Sequence, residues 1–166
     1  MGQYFIVVND DKQEFINPHS FGDGLKFNEV ARSAYGTLTA LALLLRRSNE
    51  GGGGDFPGQR TTTIGSWAGD RISFVGDYDE SGLYQTALAG YADVSHNVIR
   101  LMATDYILRR EIWARGVLND DGSLCAHPPL FGNGMERRRE IVYGEGAPPN
   151  ASELPSAIFA RDERNA

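Results

Sequence analysis

The sequence predicts a single α+β domain: a small, mainly antiparallel sheet with two main helices packed on it and long Gly/Pro-rich loops. Three observations lead there. Short β-branched and aromatic runs open the chain, "YFIVVN" at 4–9 and "QEFINP" at 13–18. Two longer stretches, 37–48 and 92–116, instead carry apolar residues at helical spacing. Gly and Pro recur in the remainder, and neither an internal repeat nor a linker divides the chain into two cores.

Each element follows from its residues. "YFIVVN" is apolar on both faces, which predicts a central strand. Asp10-Asp11-Lys12 closes it, and "QEFINP", stopped by Pro18, returns as the second arm of a hairpin. "HSFGDG" at 19–24 is a loop in which Gly22 and Gly24 are free to take positive φ. "LKFNEVARSAYG" reads as a third strand or as a first helical turn. "TLTALALLLRRS" is a helix, with Thr37 placed to cap it and Leu38, Leu41, Ala42 and Leu45 to line its buried face. Leu43 and Leu44 widen that face, and Arg46-Arg47 fall where the helix dipole favours cations.

"NEGGGGDFPGQ" at 49–59 then breaks the pattern as a loop. "RISFVGDY" at 71–78 is the next strand, expected to be central. Ile72 and Phe74 turn toward the core, and Arg71, Ser73, Val75 and Asp77 lie on the opposite face. "ADVSHNVIRLMATDYILRREIWARG" is the longest helical pattern. Asp93 or Ser95 caps it, Val94, Val98, Leu101, Met102 and Tyr106 form its stripe, and Gly116 ends it. A short strand "REIVYG" interrupts the Gly/Pro-rich remainder. The domain is expected over 1–150, with 151–166 a loose or docking tail.

Composition narrows the function classes. A chain of 166 residues is long enough to bury one real core, and 41% apolar with 23% charged residues is ordinary globular usage. The net charge of −6 argues against a nucleic-acid partner, which would need a concentrated basic stripe. Arg109-Arg110 with Arg115, and Arg137-Arg138-Arg139, are short clusters of the kind usually solvated. Cys125 is the only cysteine, which excludes an internal disulfide and multi-thiolate zinc sites. "MGQYFIVVNDDK" lacks the basic region of a signal peptide, and Ile6 stands where a myristoylation motif wants Ser or Thr. "ALALLL" at 40–45 is too short to span a bilayer. A cytoplasmic protein with no membrane partner is expected.

The N-terminal half carries "GQYF" (2–5), "DKQEFI" (11–16), "PHSFGDGLK" (18–26), "GTLTALA" (36–42), "GGGD" (52–55) and "GSWAGDRISFVGDY" (65–78). In these segments it resembles an uncharacterised family of small bacterial and phage-borne proteins. The likeness spans about half the chain and fades after Tyr84. It implies a bacterial or phage origin and no particular activity.

Several constellations bear chemistry. On a straight strand Asp77 and Asp79 share a face about 7 Å apart, close enough to share a hard cation or divide acid and base roles. Asp70 has the opposite parity, so the three converge only through a bulge; turn chemistry is the competing reading of "GDYDESG". In "PHSFGDG", Asp23 is placed to orient His19 for base catalysis or metal binding. His96 and His127 are its possible companions, but no His spacing of a known metal motif exists and no metal site is expected unless the fold gathers them. The glycine run of "NEGGGGDF" lacks the Lys-Ser/Thr of a phosphate loop. Cys125 beside His127 is a possible thiolate–imidazole pair without an orienting third group. Trp67, Tyr78, Tyr84 and Tyr91 offer a stacking wall for a planar ligand.

The reading these features favour is a small soluble binding or interaction module without catalysis or cofactor. Its partner would be a protein or a small ligand, with Trp67, Asp70, Arg71 and Tyr78 as candidate contacts. The alternative is a small metal-dependent hydrolase or nucleotide-binding enzyme using Asp70, Asp77 and Asp79 with the His19 loop, His19, Asp23, Asp70 and Asp77 being the catalytic candidates. A virion or assembly component is a second alternative.

Overall fold

A four-stranded mixed sheet organises the chain in the computed structural model, which describes residues 2–48, 55–56, 61–129 and 138. The strands are β1 (Phe5–Asn9), β2 (Glu14–Ile16), β3 (Ile72–Gly76) and β4 (Ala92–Asp93), in the order β3-β1-β2-β4. β1 and β2 form the expected hairpin, with Val7 opposite Ile16. β3 lies antiparallel on the other side of β1, with Val7 opposite Phe74, and the two-residue β4 runs parallel to β2. The doubly apolar β1 is central, as its composition predicts. Buried Asn9 shapes the hairpin turn by accepting the Lys12 N–H through Oδ1, at 3.0 Å, and Gln13 completes it at φ 54°.

The helices are α1 (Phe27–Ala31), α2 (Thr37–Leu45), α3 (Leu83–Gly90), α4 (Ser95–Met102) and α5 (Tyr106–Ala114). They cover both faces of the sheet. Val7 and Ile16 join the main core, with Ala40, Leu43 and Leu44 of α2, Val98, Ile99 and Met102 of α4, and Ile112 and Trp113 of α5. Ile6, Val8, Phe15 and Val75 face the other way, onto Ala87 of α3 with Leu83, Tyr84 and Tyr91 around it. Two faces filled in this way give an α+β fold with one sheet at its centre.

Four expectations change. β3 is an edge strand, not a central one. Its Phe74, expected to turn toward the core, is 38% exposed, stacked on Phe5 at 5.1 Å and edge-on to Phe27, while Val75 on the opposite face is buried against α3. α3 itself was not anticipated: "LYQTALAG" has too few large apolar residues to announce a helix, and buries little besides Ala87. In α2 the cap is Gly36 rather than Thr37, and the buried face is Thr37, Ala40, Leu43 and Leu44. Leu38 and Leu45 are exposed. A helix this uniformly apolar has no amphipathic signal to orient it. Its last carbonyls are met by backbone rather than by charge, since Gly65 and Trp67 donate to Leu43 and Leu44 at 2.9 Å.

The fourth change is that the long helix over 92–116 is two helices. Thr104 Oγ1 donates to the Leu101 carbonyl at 2.7 Å, and Asp105 Oδ1 accepts the Leu108 N–H at 2.8 Å. Both side chains compete with the helical ladder, ending α4 and capping α5 within three residues. Gly116 does stop α5: it takes φ 75°, and the Gly116 and Val117 N–H groups donate to Trp113 and Ile112. The expected strand at 139–144, the tail at 151–166 and most of the glycine loop at 49–59 lie outside the described residues. Among the described residues no helix is long and apolar enough to cross a membrane.

Candidate functional site

The fold gathers all three histidines of the chain. His19, His96 and His127 line one cleft of about 310 Å³ together with Asn17, Ser20, Ala126 and Pro128. Three segments remote in sequence build it. The first is the 3-10 turn Pro18–Phe21, opened by Asn17, whose Oδ1 accepts the His19 N–H at 3.0 Å. Pro18 favours this turn because a first helical position needs no N–H donor. Gly22 closes the turn at φ 71°, in the left-handed region where a side chain would be strained.

The second segment is the first turn of α4, which carries His96. Ser95, fully buried beside it, accepts the Asn17 backbone N–H through Oγ at 2.8 Å. That bond fastens the histidine turn to the helix. The third is the 126–128 loop, held from behind where Cys125 N–H donates to the Val117 carbonyl at 2.9 Å and Leu118 bridges Leu124. Asn17 is thus the joint of the site: its backbone N–H binds α4 and its Oδ1 caps the turn.

The lining is polar and rich in donors. None of its residues is acidic, although the chain as a whole carries −6. Among the described residues, no protein partner meets Asn17 Nδ2, Ser20 Oγ or the three imidazoles. Partial burial holds the His19 pKa below the ordinary histidine value, and the charge of Glu29 partly offsets this. A neutral imidazole is therefore favoured there near neutral pH. No group of three or more His, Cys, Asp or Glu among the described residues is arranged to hold a metal ion.

Asp23 does not join His19. It turns beneath α2, where its Oδ2 accepts Ser33 Oγ at 2.5 Å, Thr37 N–H at 2.8 Å and Thr37 Oγ1 at 2.6 Å. Its Oδ1 pairs with Arg115, whose guanidinium also donates to the carbonyls of Phe21 and Ala34. Gly36 lets the chain pass: a Cβ there would lie 2.5 Å from Asp23 Oδ2 and nearer still to Ser33 Oγ. This carboxylate, 4% exposed, is an anchor with both oxygens engaged.

The strand carboxylates are dispersed as well. Asp70 precedes β3 and accepts Asn9 Nδ2 at 2.8 Å, while Asp77 follows β3 and accepts the Tyr4 N–H at 3.0 Å. Seven residues at strand rise separate them by roughly 20 Å. Asp79 accepts Ser81 N–H at 3.0 Å and Ser81 Oγ, which is turn chemistry. Arg71 makes a two-point contact with Asp11 at 2.8 Å through its backbone N–H and Nε, and these bonds hold the Asp11 pKa below the usual carboxylate value. Of the aromatic candidates, Trp67 is fully buried and its indole donates to Glu14 Oε2 at 2.6 Å, leaving no face for a ligand. Tyr84 of α3 and Tyr91 just after it pack against the second core, and burial beside Asp77 raises the Tyr84 pKa. Tyr78 alone of the four is exposed at its strand end.

Sequence reasoning named His19, with His96 and His127 only as its possible companions in a metal site. It missed Asn17 and Ser20. The signal for Asn17 was present: Asn before Pro opens a turn that its own side chain can cap. Cys125, by contrast, precedes the loop and does not line the cleft. No family model, no curated protein and no solved structure matches this chain.

Proposed function

We propose that the chain is a small-ligand binding module of cytoplasmic type, and that its binding site is the three-histidine cleft between the 3-10 turn, α4 and the 126–128 loop. One observation carries this reading. Ser20 and the three imidazoles, which have no side-chain partner among the described residues, and the free amide Nδ2 of Asn17 converge on a single concavity from three distant segments. Unpaired donors in a concave site are what a ligand of modest size requires, and about 310 Å³ sits at the small end of ligand sites. The framework behind them is fixed by the Asn17–Ser95 hydrogen bond and the buried bonds of Asp23, so the loops present their groups from a rigid base.

The test is a fragment screen read by amide ¹H–¹⁵N shifts. Binding fragments are expected to perturb residues 17–20, 95–97 and 126–128 together, and to lose affinity when His96 and His127 are both replaced by Ala. Hits that instead collect around Tyr78 and Arg71, or a screen in which nothing perturbs the cleft, would overturn the assignment.

A further inference from the structure

We propose that the ligand group the cleft takes is a phosphate-type oxyanion borne by a small molecule; this rests on the cleft being the binding site. The groups facing it are donors or can become donors. Asn17 offers Nδ2, because its Oδ1 is already committed to the His19 N–H. Ser20 offers a hydroxyl, and each imidazole offers an N–H when neutral and two when protonated. No carboxylate lines the cleft to repel an anion or attract a cation. A metal ion would also be compatible with three imidazoles, but the described residues hold no group of ligands arranged around one point. Donors spread around a concavity suit an anion with several acceptor oxygens better than a single small cation.

Protonation gives this site a sign. The titratable groups around the cleft are His19 from the 3-10 turn, His96 from α4 and His127 from the loop, with Glu29 of α1 acting on His19 from outside the lining. Partial burial disfavours the His19 cation in the free protein, and a bound anion supplies the missing countercharge. Anion binding is therefore coupled to proton uptake, and affinity rises as pH falls through the histidine range.

The experiment titrates the full chain with inorganic phosphate, a nucleoside monophosphate and sulfate, following amide shifts, with zinc chloride as a separate arm. Sulfate is the probe for pH because its charge is constant between pH 5.5 and 7.5. Saturable shifts at residues 17–20, 95–97 and 126–128 are expected, with sulfate roughly tenfold tighter at pH 5.5 than at pH 7.5. A nucleoside monophosphate that binds no tighter than phosphate identifies the oxyanion as the recognised group; one much tighter adds contacts to the same group. Asn17→Asp keeps the turn's capping oxygen and replaces the free donor by a carboxylate, so phosphate should bind roughly tenfold more weakly. His19→Gln retains a donor that cannot protonate and should weaken the pH dependence; it serves if Asn17→Asp does not fold.

Zinc that binds the cleft while phosphate and sulfate do not, with Asn17→Asp preserving or strengthening zinc, would overturn the oxyanion assignment and leave the binding-site reading intact. Phosphate shifts confined to surface arginines would overturn it too. Fragments that bind only outside the cleft would remove both.

Discussion

Asp23→Asn tests whether the carboxylate behind the histidine turn is an anchor. In the native protein its two oxygens meet four donors: Ser33 Oγ, Thr37 N–H, Thr37 Oγ1 and Arg115. An amide has one acceptor oxygen, so whichever way it is turned, its NH₂ faces donors. Breaking a buried ion pair by removing one partner costs about 3–5 kcal/mol. Arg115 retains the carbonyls of Phe21 and Ala34, and its side chain is 22% exposed, which places the cost near the lower bound, about 3 kcal/mol. For a chain of this size that lowers the melting temperature by roughly 6–12 °C. The assay is urea unfolding of both proteins at pH 7 by far-UV circular dichroism, with the slope checked for constancy. Gly36→Ala is the companion: its Cβ would fall within 2.5 Å of Asp23 Oδ2 and nearer still to Ser33 Oγ, and a loss of about 1–3 kcal/mol is expected. Losses under about 1 kcal/mol for both variants would refute the buried hub, since that is the ordinary effect of a surface substitution or less.

Further expectations concern the joints of the fold and its pH response. Ser95→Ala leaves the part-buried Asn17 N–H without its acceptor and should cost about 1 kcal/mol in the same urea assay, with the His19 and His96 ring resonances shifting together. Asp105→Ala removes the α5 cap and should cost about 1 kcal/mol; no loss would mean that the break between α4 and α5 is not set by capping. Asp79→Ala, in an exposed turn, should change stability by no more than about 0.5 kcal/mol, and stability gained on adding divalent cations would contradict that assignment. His19 has a folded pKa below its unfolded value, so the unfolded chain binds more protons. Stability is fully present above the ordinary histidine value and falls as pH drops through it toward the folded pKa. His19→Gln should therefore lose less melting temperature than the native chain between pH 7.5 and 5.5. An equal loss would show that His19 is not the group responsible.

How much of this was legible in the sequence depends on what each signal measures. Alternation and β-branching report burial on two sides, so the central β1 and its hairpin partner could be read directly. The same reasoning misplaced β3, because "ISFVG" reads alike whether its outer edge pairs with another strand or stands at the end of the sheet. Helical periodicity over 92–116 was real, but it continues in phase across Ala103–Asp105, and only the local competition of Thr104 and Asp105 for backbone groups divides it. Strand parity predicts that Asp70 and Asp77 do not converge, and the length of β3 between them keeps them apart. The gathering of His19, His96 and His127 could not be read in this way, because it depends on tertiary bonds such as Asn17 to Ser95, across 78 residues, which no local pattern encodes.

The most direct test of the central claim is a pH titration of the three histidine ring Cε1–H resonances with and without sulfate. The account predicts that saturating sulfate shifts all three rings and raises the midpoint of His19, whose cation partial burial disfavours in the free protein. Rings that titrate independently and identically with and without sulfate would contradict a shared anion-binding cleft.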